Sequence, residues 1–149
     1  GEHTITLTVS DSEGLSASDE IHIGIEPPAL DYYTVVPCRV LDTRSGAPLA
    51  SMSAREFPVG DLCGVPPSAP AVSVNITAIS PTGTGYMTLW PAGIPRPNTS
   101  AISFSAGRTR ASNLILPLAY DGSGLAAVEA VVAGSGSVHM AVDITGYFE

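Results

Sequence analysis

The segment "TITLTVS", residues 4–10, alternates strictly between polar and apolar side chains. This period of two is typical of a half-buried β-strand, because successive side chains of a strand point to opposite faces. A polar turn follows at residues 11–14, and the segment "DEIHIGI" at residues 19–25 repeats the alternation. Two such strands around a short turn predict a β-hairpin. Its apolar face consists of Ile5, Leu7, Val9, Ile21, Ile23 and Ile25.

The composition also favours strands and turns. Of the 149 residues, 44% are hydrophobic and only 13% are charged, with no lysine, 15 glycines and 13 prolines. Such a chain is poor helix material, whereas Gly and Pro at short intervals are typical of turns between strands. The net charge of −8 argues against a nucleic-acid or anionic-membrane partner. No apolar run approaches the about 20 residues that a membrane span needs.

The rest of the chain is predicted to form seven short strands separated by turn clusters. This spacing indicates an all-β fold, an antiparallel β-sandwich or jelly-roll-like domain over residues 29–149. The stretch "GLAAVEAVVAG" is the nearest approach to a helical pattern, but it is short and rich in valine, so we predict a strand there. The predicted strands are residues 33–41, 71–79, 86–91, 101–105, 113–119, 125–132 and 138–147.

Charge separates the hairpin from the remainder. Residues 1–31 contain seven acidic residues and no arginine, so their charge is −7, whereas residues 32–149 carry −1. The segment "EPP" at 26–28 reads as a stiff linker, so we predict a hairpin unit at 1–28. A lone hairpin is marginally stable, and its edges and apolar face need a partner. It either folds back on its own domain or docks onto a neighbouring copy.

Two parts of the sequence resemble domains of secreted proteins. The segment "GEHTITLTVSDSEGLSASDEIHIGI" resembles the last two strands of a polycystic-kidney-disease-type (PKD) domain, an immunoglobulin-like sandwich common in secreted bacterial proteins. The segments "VVPCRVLDTR", "CGVPPSAPAVSVNITAISPTGTGYMTLWPAG" and "GSVHMAVDITGYF" resemble a β domain repeated in such proteins, often beside cell-wall amidases or peptidases. The second resemblance implies an extracellular accessory module without a known catalytic role. Because the chain starts mid-pattern, we interpret it as a fragment or a processed product.

The segment "VVPCRVLDTRSG", residues 35–46, concentrates cysteine and charge. Cys38 and Cys63 are the two cysteines of a lysine-free, secreted-type chain, which favours one disulfide over a reactive thiol or a metal site. Strict alternation would put Asp42 on the face of Cys38 and Val40, opposite Arg39. We predict that Arg39, Asp42 and Arg44 form a structural polar network at this strand end. The alternatives are an anion or glycan contact through the arginines, or catalysis.

Other residues are candidates for glycan chemistry. Aromatic rings that would stack on sugars are Tyr32, Tyr33 and Trp90, the alternative for each being ordinary packing. Asn75 and Asn98 begin N-glycosylation sequences. Asn75 falls within a predicted strand, so Asn98 in the "PRPNTS" loop is the better acceptor. We find no catalytic or metal-binding residue set and expect no cofactor.

These observations lead to one hypothesis and its rivals. The hypothesis is a non-catalytic extracellular or cell-surface structural module that associates with copies of itself, or with a neighbouring domain, by β-strand addition through the hairpin. The alternative is a carbohydrate- or cell-wall-binding accessory module of a secreted enzyme, with a cell-surface glycan as its partner. An enzyme is the third reading, and the sequence nominates no residues for it.

Overall fold

The computed structural model describes residues 2–24 and 29–149. The chain divides into two compact units, the second of which spans Asp31–Glu149. Both units are built from β-strands, and the only helical pieces in the described residues are the 3-10 turns Thr43–Ser45 and Ala133–Ser135. The all-β prediction is therefore confirmed.

The first unit is the predicted hairpin. Strands β1 (Glu2–Ser10) and β2 (Ser16–Gly24) pair antiparallel along their whole length. Asp11 shapes the turn, because its Oδ1 accepts hydrogen bonds of 2.9 Å from the backbone N–H groups of Glu13 and Leu15. Gly14 has a φ of +87°, a left-handed conformation that glycine adopts without steric cost.

The second unit contains nine strands, and the seven predicted ones are all among them. The other two, Leu49–Ala50 and Arg55–Pro58, were not predicted, because strands of 2 and 4 residues are too short to show an alternating pattern. The strand predicted within "GLAAVEAVVAG" spans Leu125–Val132. The strands are β3 (Tyr32–Asp42), β4 (Leu49–Ala50), β5 (Arg55–Pro58), β6 (Ala71–Ile79), β7 (Gly85–Pro91), β8 (Ile102–Phe104), β9 (Arg110–Pro117), β10 (Leu125–Val132) and β11 (Ser137–Phe148).

These strands form two antiparallel sheets around one core. The larger sheet has the order β3-β11-β6-β9, with β4 also paired to β11, and the smaller has the order β5-β10-β7-β8. Strand β6 shows how the core is made, because every second residue is buried and the others face outward. The largest fully buried side chains come from both sheets and from the loops between them, and they include Leu49, Ile76, Met87, Leu116, Leu118, Met140 and Ile144.

The ends of the second unit meet, and the edge strands of the larger sheet are longer than those of the smaller sheet. Asp31 and Glu149 exchange two backbone hydrogen bonds, of 2.8 and 3.0 Å. Strands β3 and β9 are the edges of the larger sheet, with 11 and 8 residues. The edges of the smaller sheet, β5 and β8, have only 4 and 3 residues. The larger sheet therefore offers the longer unpaired backbone edges.

Candidate functional site

The apolar face of the hairpin is exposed. Ile5 and Ile21 lie directly opposite each other and are 55% and 61% exposed. Leu7 and Val9 continue the same row and are 66% and 63% exposed. Of the other residues predicted for this face, Ile25 lies outside the described residues, as does the side chain of Ile23. A contiguous exposed apolar row is typical of an association surface.

The opposite face of the hairpin is polar and carries its own hydrogen bonds. Thr4 Oγ1 lies 3.1 Å from His22 Nδ1, and Thr6 Oγ1 donates to Glu20 at 3.5 Å. One charge interrupts the apolar side, since Asp19 is the residue opposite Leu7. A partner that covers the apolar row therefore needs to leave this carboxylate in water or supply it with a cation.

The two cysteines form the predicted disulfide. It joins Cys38 in β3 to Cys63 in the loop after β5, with a Cα–Cα distance of 5.8 Å and a sequence separation of 25. Closing a loop of this length contributes about 3 kcal/mol by restricting the unfolded chain. The bond ties an edge strand to a segment with little regular structure, and it leaves neither sulfur free to act as a nucleophile or a metal ligand.

The charged residues of the segment 35–46 meet on the outer face of the larger sheet. Arg39 donates from Nε and Nη2 to the two oxygens of Asp143, at 2.7 and 3.0 Å, and from Nη1 to Asp42 at 3.1 Å. Arg44 donates to Asp42 both from its backbone N–H, at 3.1 Å, and from its side-chain Nε, at 2.9 Å. These bonds from Arg44 hold the pKa of Asp42 well below its ordinary value.

The face assignment made from strict alternation is wrong for Arg39 and Asp42. The register between β11 and β3 shifts between Val142 and Asp143, so that Val40 is an extra residue on β3. A bulge of this kind reverses the alternation beyond it. Arg39 and Asp42 therefore share the outer face, and Cys38 lies opposite the buried Ile144.

Thr43 is the residue of this corner that the sequence analysis missed. It is 4% exposed, and its Oγ1 accepts the backbone N–H of Met140 at 2.8 Å and lies 3.1 Å from His139 Nδ1. The hydroxyl therefore fastens the 3-10 turn to β11. The only signal in the sequence was its place at the end of a strand, because both of its partners lie on β11, about a hundred residues later in the chain.

A row of four polar side chains crosses the outer face of the larger sheet. Arg39, Asp143, Asn75 and Asn113 lie directly opposite one another on β3, β11, β6 and β9, and we call them the polar row. The amide of Asn75 donates to Asn113 Oδ1 at 2.7 Å, so the row is bonded at both ends. A shallow depression of about 520 Å³ lies along the first three residues of the row, lined by Pro37, Cys38, Arg39, Asn75, Asp143 and Thr145.

The proposed glycan platform is wrong for Trp90. Its side chain is 6% exposed and packs with Ala92, Ala119 and Ala127, on the side of the smaller sheet away from the main core. The indole N–H donates to the carbonyl of Ile94 at 3.1 Å, which satisfies its polar atom. The ring is held beneath the loop of residues 92–101 and is not available for stacking.

Tyr32 and Tyr33 are exposed at the other end of the larger sheet. Tyr32 is 48% exposed, lies beside Phe148 with ring centroids 5.1 Å apart, and places its hydroxyl end over Gly146. Tyr33 is 44% exposed and stacks on Tyr147, which itself packs against the core. Of the predicted aromatic platform, Tyr32 therefore lies on the same outer face as the polar row.

The two glycosylation sequences lie in different settings. Asn75 belongs to the polar row in the middle of the sheet, whereas Asn98 is exposed in the loop of residues 92–101. That loop is held by Arg96, whose Nη2 donates to Thr88 Oγ1 at 3.2 Å. Arg96 Nε lies 2.9 Å from Glu129 Oε1 in an ion pair whose angle does not make a hydrogen bond.

Three further findings concern metal binding, membrane-spanning helices and similarity to known proteins. Within residues 2–24 and 29–149, no three His, Cys, Asp or Glu side chains are grouped so that they could hold a metal ion. In the same part of the chain, no helix has the length and apolar character needed to cross a membrane. No protein-family model matches the sequence, and a search of curated proteins finds no matching relative.

Proposed function

We propose that this chain is a non-catalytic structural module of an extracellular or cell-surface protein, and that it associates with copies of itself through the N-terminal hairpin. The observation that carries the proposal is the apolar row of the hairpin, whose side chains are more than half exposed. A two-stranded hairpin is marginal in water, and a third strand with a covered apolar face stabilises it. The disulfide supports an oxidising compartment.

Charge identifies the kind of surface that receives the hairpin. Two hairpins that paired with each other would bring together two segments, residues 1–28 of each copy, that each contain six acidic residues and no arginine, which is unfavourable. Residues 62–120 contain no acidic residue and include Arg96, Arg108 and Arg110. The hairpin of one copy is therefore better matched to the second unit of another copy. A head-to-tail contact of this kind repeats into an open filament.

The edge strand β9 fits this role best. It is 8 residues long, close to the 9 residues of each hairpin strand, and no described strand pairs with its edge away from β6. Arg110 at its start and Arg108 just before it are exposed and form no ion pair with any described residue. Strand addition would satisfy the free backbone groups, and the arginines would compensate hairpin carboxylates such as Asp19.

The test is the assembly state in non-reducing buffer, measured by light scattering and negative-stain microscopy. We expect concentration-dependent oligomers or filaments from the full chain and a monomer from residues 29–149. The double change Ile5→Ser and Leu7→Ser should abolish assembly, whereas Thr4→Ser and Thr6→Ser on the polar face should preserve it. Identical assembly without residues 1–28, or a monomeric full chain at every concentration, would refute the proposal.

A separate experiment tests whether the edge strand β9 receives the hairpin of another copy. The double change Arg108→Glu and Arg110→Glu should weaken assembly, and added salt should weaken the assembly of the unaltered chain, because screening reduces attraction between exposed charges. The matched control is Arg55→Glu, which changes an arginine on β5 in the other sheet. If this control weakens assembly equally, β9 is not the acceptor even if the hairpin is the donor.

A further inference from the structure

We propose that the outer face of the larger sheet binds a short, neutral oligosaccharide along the polar row. This function is separate from self-association, since it uses a face of the second unit and neither the hairpin nor the β9 backbone edge. Four side chains that together provide donors and acceptors stand opposite one another on four neighbouring strands.

The size of the row matches a ligand longer than a single sugar. Neighbouring strands are about 4.8 Å apart, so the row from Arg39 to Asn113 spans about 14 Å. The depression beside it, of about 520 Å³, falls within the range of small-molecule sites and is shallow. An extended ligand lying across the strands fits this shape better than a compact ligand that has to be enclosed.

Hydrogen bonds within the polar row hold its side chains in place but leave some of their donors and acceptors free. Arg39 and Asp143 hold each other through two bonds, and Asn75 is held by Asn113. Each carboxylate oxygen of Asp143 still has a free lone-pair position. Asn113 donates neither of its amide hydrogens to another described residue. Groups that are already immobilised lose little entropy when a ligand binds, which favours affinity.

The charge of the row points to a neutral ligand. Arg39 and Asp143 cancel, and the two asparagines are uncharged, so the row has no net charge to attract an ion. Side-chain amides and a carboxylate–guanidinium pair offer donors and acceptors side by side, and a ligand with neighbouring hydroxyl groups complements both. Ser73 and Thr145, whose hydroxyls lie 3.0 Å apart, extend the polar face in the direction of Gly146.

Tyr32 supplies the apolar element that sugar recognition requires. Gly146 is three residues from Asp143 along β11, so the Tyr32 ring above it lies about 10 Å from the row. A side chain at residue 146 would overlap that ring, so the glycine allows the ring to lie against the sheet. The opposite side of the ring is exposed, and an aromatic face packs on the apolar C–H face of a sugar.

The test uses the full chain and three neutral probes, namely cellohexaose, chitohexaose and mannohexaose, with a heparin hexasaccharide as the anionic probe. Binding is measured by isothermal titration calorimetry and by NMR shifts of the side-chain amides of Asn75 and Asn113. We expect at least one neutral probe to bind and to shift both amides. Asn113→Ala and Tyr32→Ala should each raise its Kd about tenfold, the effect of losing about 1.4 kcal/mol.

Two control variants test whether a loss of sugar binding is specific to the polar row and Tyr32. Asn98→Ala and Tyr120→Ala alter an exposed asparagine and tyrosine elsewhere, and they should leave the Kd of the bound probe unchanged. The proposal is overturned if no neutral probe binds, if only heparin binds, or if the control variants weaken binding equally. It is also overturned if the two amides respond to protein concentration and not to sugar, because the face would then be an interface between copies.

Discussion

The guanidinium of Arg39 donates two hydrogen bonds to the carboxylate of Asp143, across 104 residues of sequence. This pairing joins the edge strand β3 to β11 on the outer face of the larger sheet, and it is the end of the polar row. The same guanidinium reaches Asp42, which Arg44 also contacts, so arginines and acids alternate in the chain of contacts from Arg44 to Asp143. The arrangement compensates every charge at this corner.

The pair of Arg39 and Asp143 should contribute little to stability. Its side chains are 45% and 28% exposed, and exposed ion pairs are worth less than about 1 kcal/mol. We expect a double-mutant cycle with Arg39→Met and Asp143→Asn to give a coupling energy of about 0.5–1 kcal/mol at low salt. Urea unfolding measures it. A coupling that stayed unchanged in molar salt would contradict a solvent-screened pair.

Asp42 should make stability depend on pH in the acid range. Its pKa is lowered below the ordinary 3.8, first by the side-chain hydrogen bond from Arg44 and then by the Arg44 backbone N–H. The unfolded chain therefore takes up a proton at a higher pH than the folded chain does. The stabilisation from this carboxylate is complete above the unfolded pKa and is lost progressively as the pH falls below about 4.

The measurement is the urea midpoint of the unaltered chain and of Asp42→Asn between pH 7 and pH 2. We expect the unaltered chain to lose more stability on acidification than the variant does. Glu56→Gln is the control, since it removes one exposed acid from β5 without touching this corner. Equal acid sensitivity in the unaltered chain and Asp42→Asn would show that the hydrogen bonds from Arg44 do not stabilise the folded state.

The Thr43 hydroxyl should contribute more to the free energy of unfolding than the neighbouring ion pairs do. Thr43→Val keeps the shape of the side chain but leaves the backbone N–H of Met140 without a partner in a buried place. We expect a loss of about 1–3 kcal/mol, the cost of an unsatisfied buried donor. Hydrogen exchange of the Met140 amide should accelerate. Thr43→Ser keeps the hydroxyl and should lose much less, whereas a loss confined to Thr43→Ser would assign the role to the methyl group.

The fold was predictable because it depends on local patterns. Strands such as β1, β6 and β10 are recognisable from an alternation of polar and apolar residues or from a valine-rich run between glycines. Each of these patterns depends only on the residues of the strand itself. The core positions of β6 follow at once from its period of two. The disulfide was predictable as well, since the chain has only two cysteines and neither had another plausible partner.

The polar row was not predictable, because it depends on register. Asn75 and Asn113 are 38 residues apart, and Arg39 and Asp143 are 104 apart, so only the pairing of four strands brings them together. The bulge at Val40 added a second obstacle, since it moves Arg39 to the face of Asp42 against strict alternation. The exposure of Trp90 was also mispredicted. A ring at a strand end is buried only if a loop folds over it, and the alternating pattern of the strand does not show how the loop of residues 92–101 folds.

Arg96 should hold the loop of residues 92–101 against the smaller sheet. Its side chain is 27% exposed and lies between Glu129, Thr88 and the ring of Tyr86, whose centroid is 5.9 Å from the guanidinium carbon. Arg96→Met removes the cation and leaves Glu129, which is 17% exposed, without its partner. We expect a loss of about 1–3 kcal/mol in urea unfolding and faster proteolysis within the loop.

The control is Arg108→Met, an exposed arginine without such contacts, which should change stability by less than about 0.5 kcal/mol. If both variants lose the same stability and the loop of Arg96→Met resists protease as before, Arg96 does not hold the loop, and the loop's other hydrogen bonds, such as that from Thr88 Oγ1 to the Thr99 carbonyl, are sufficient.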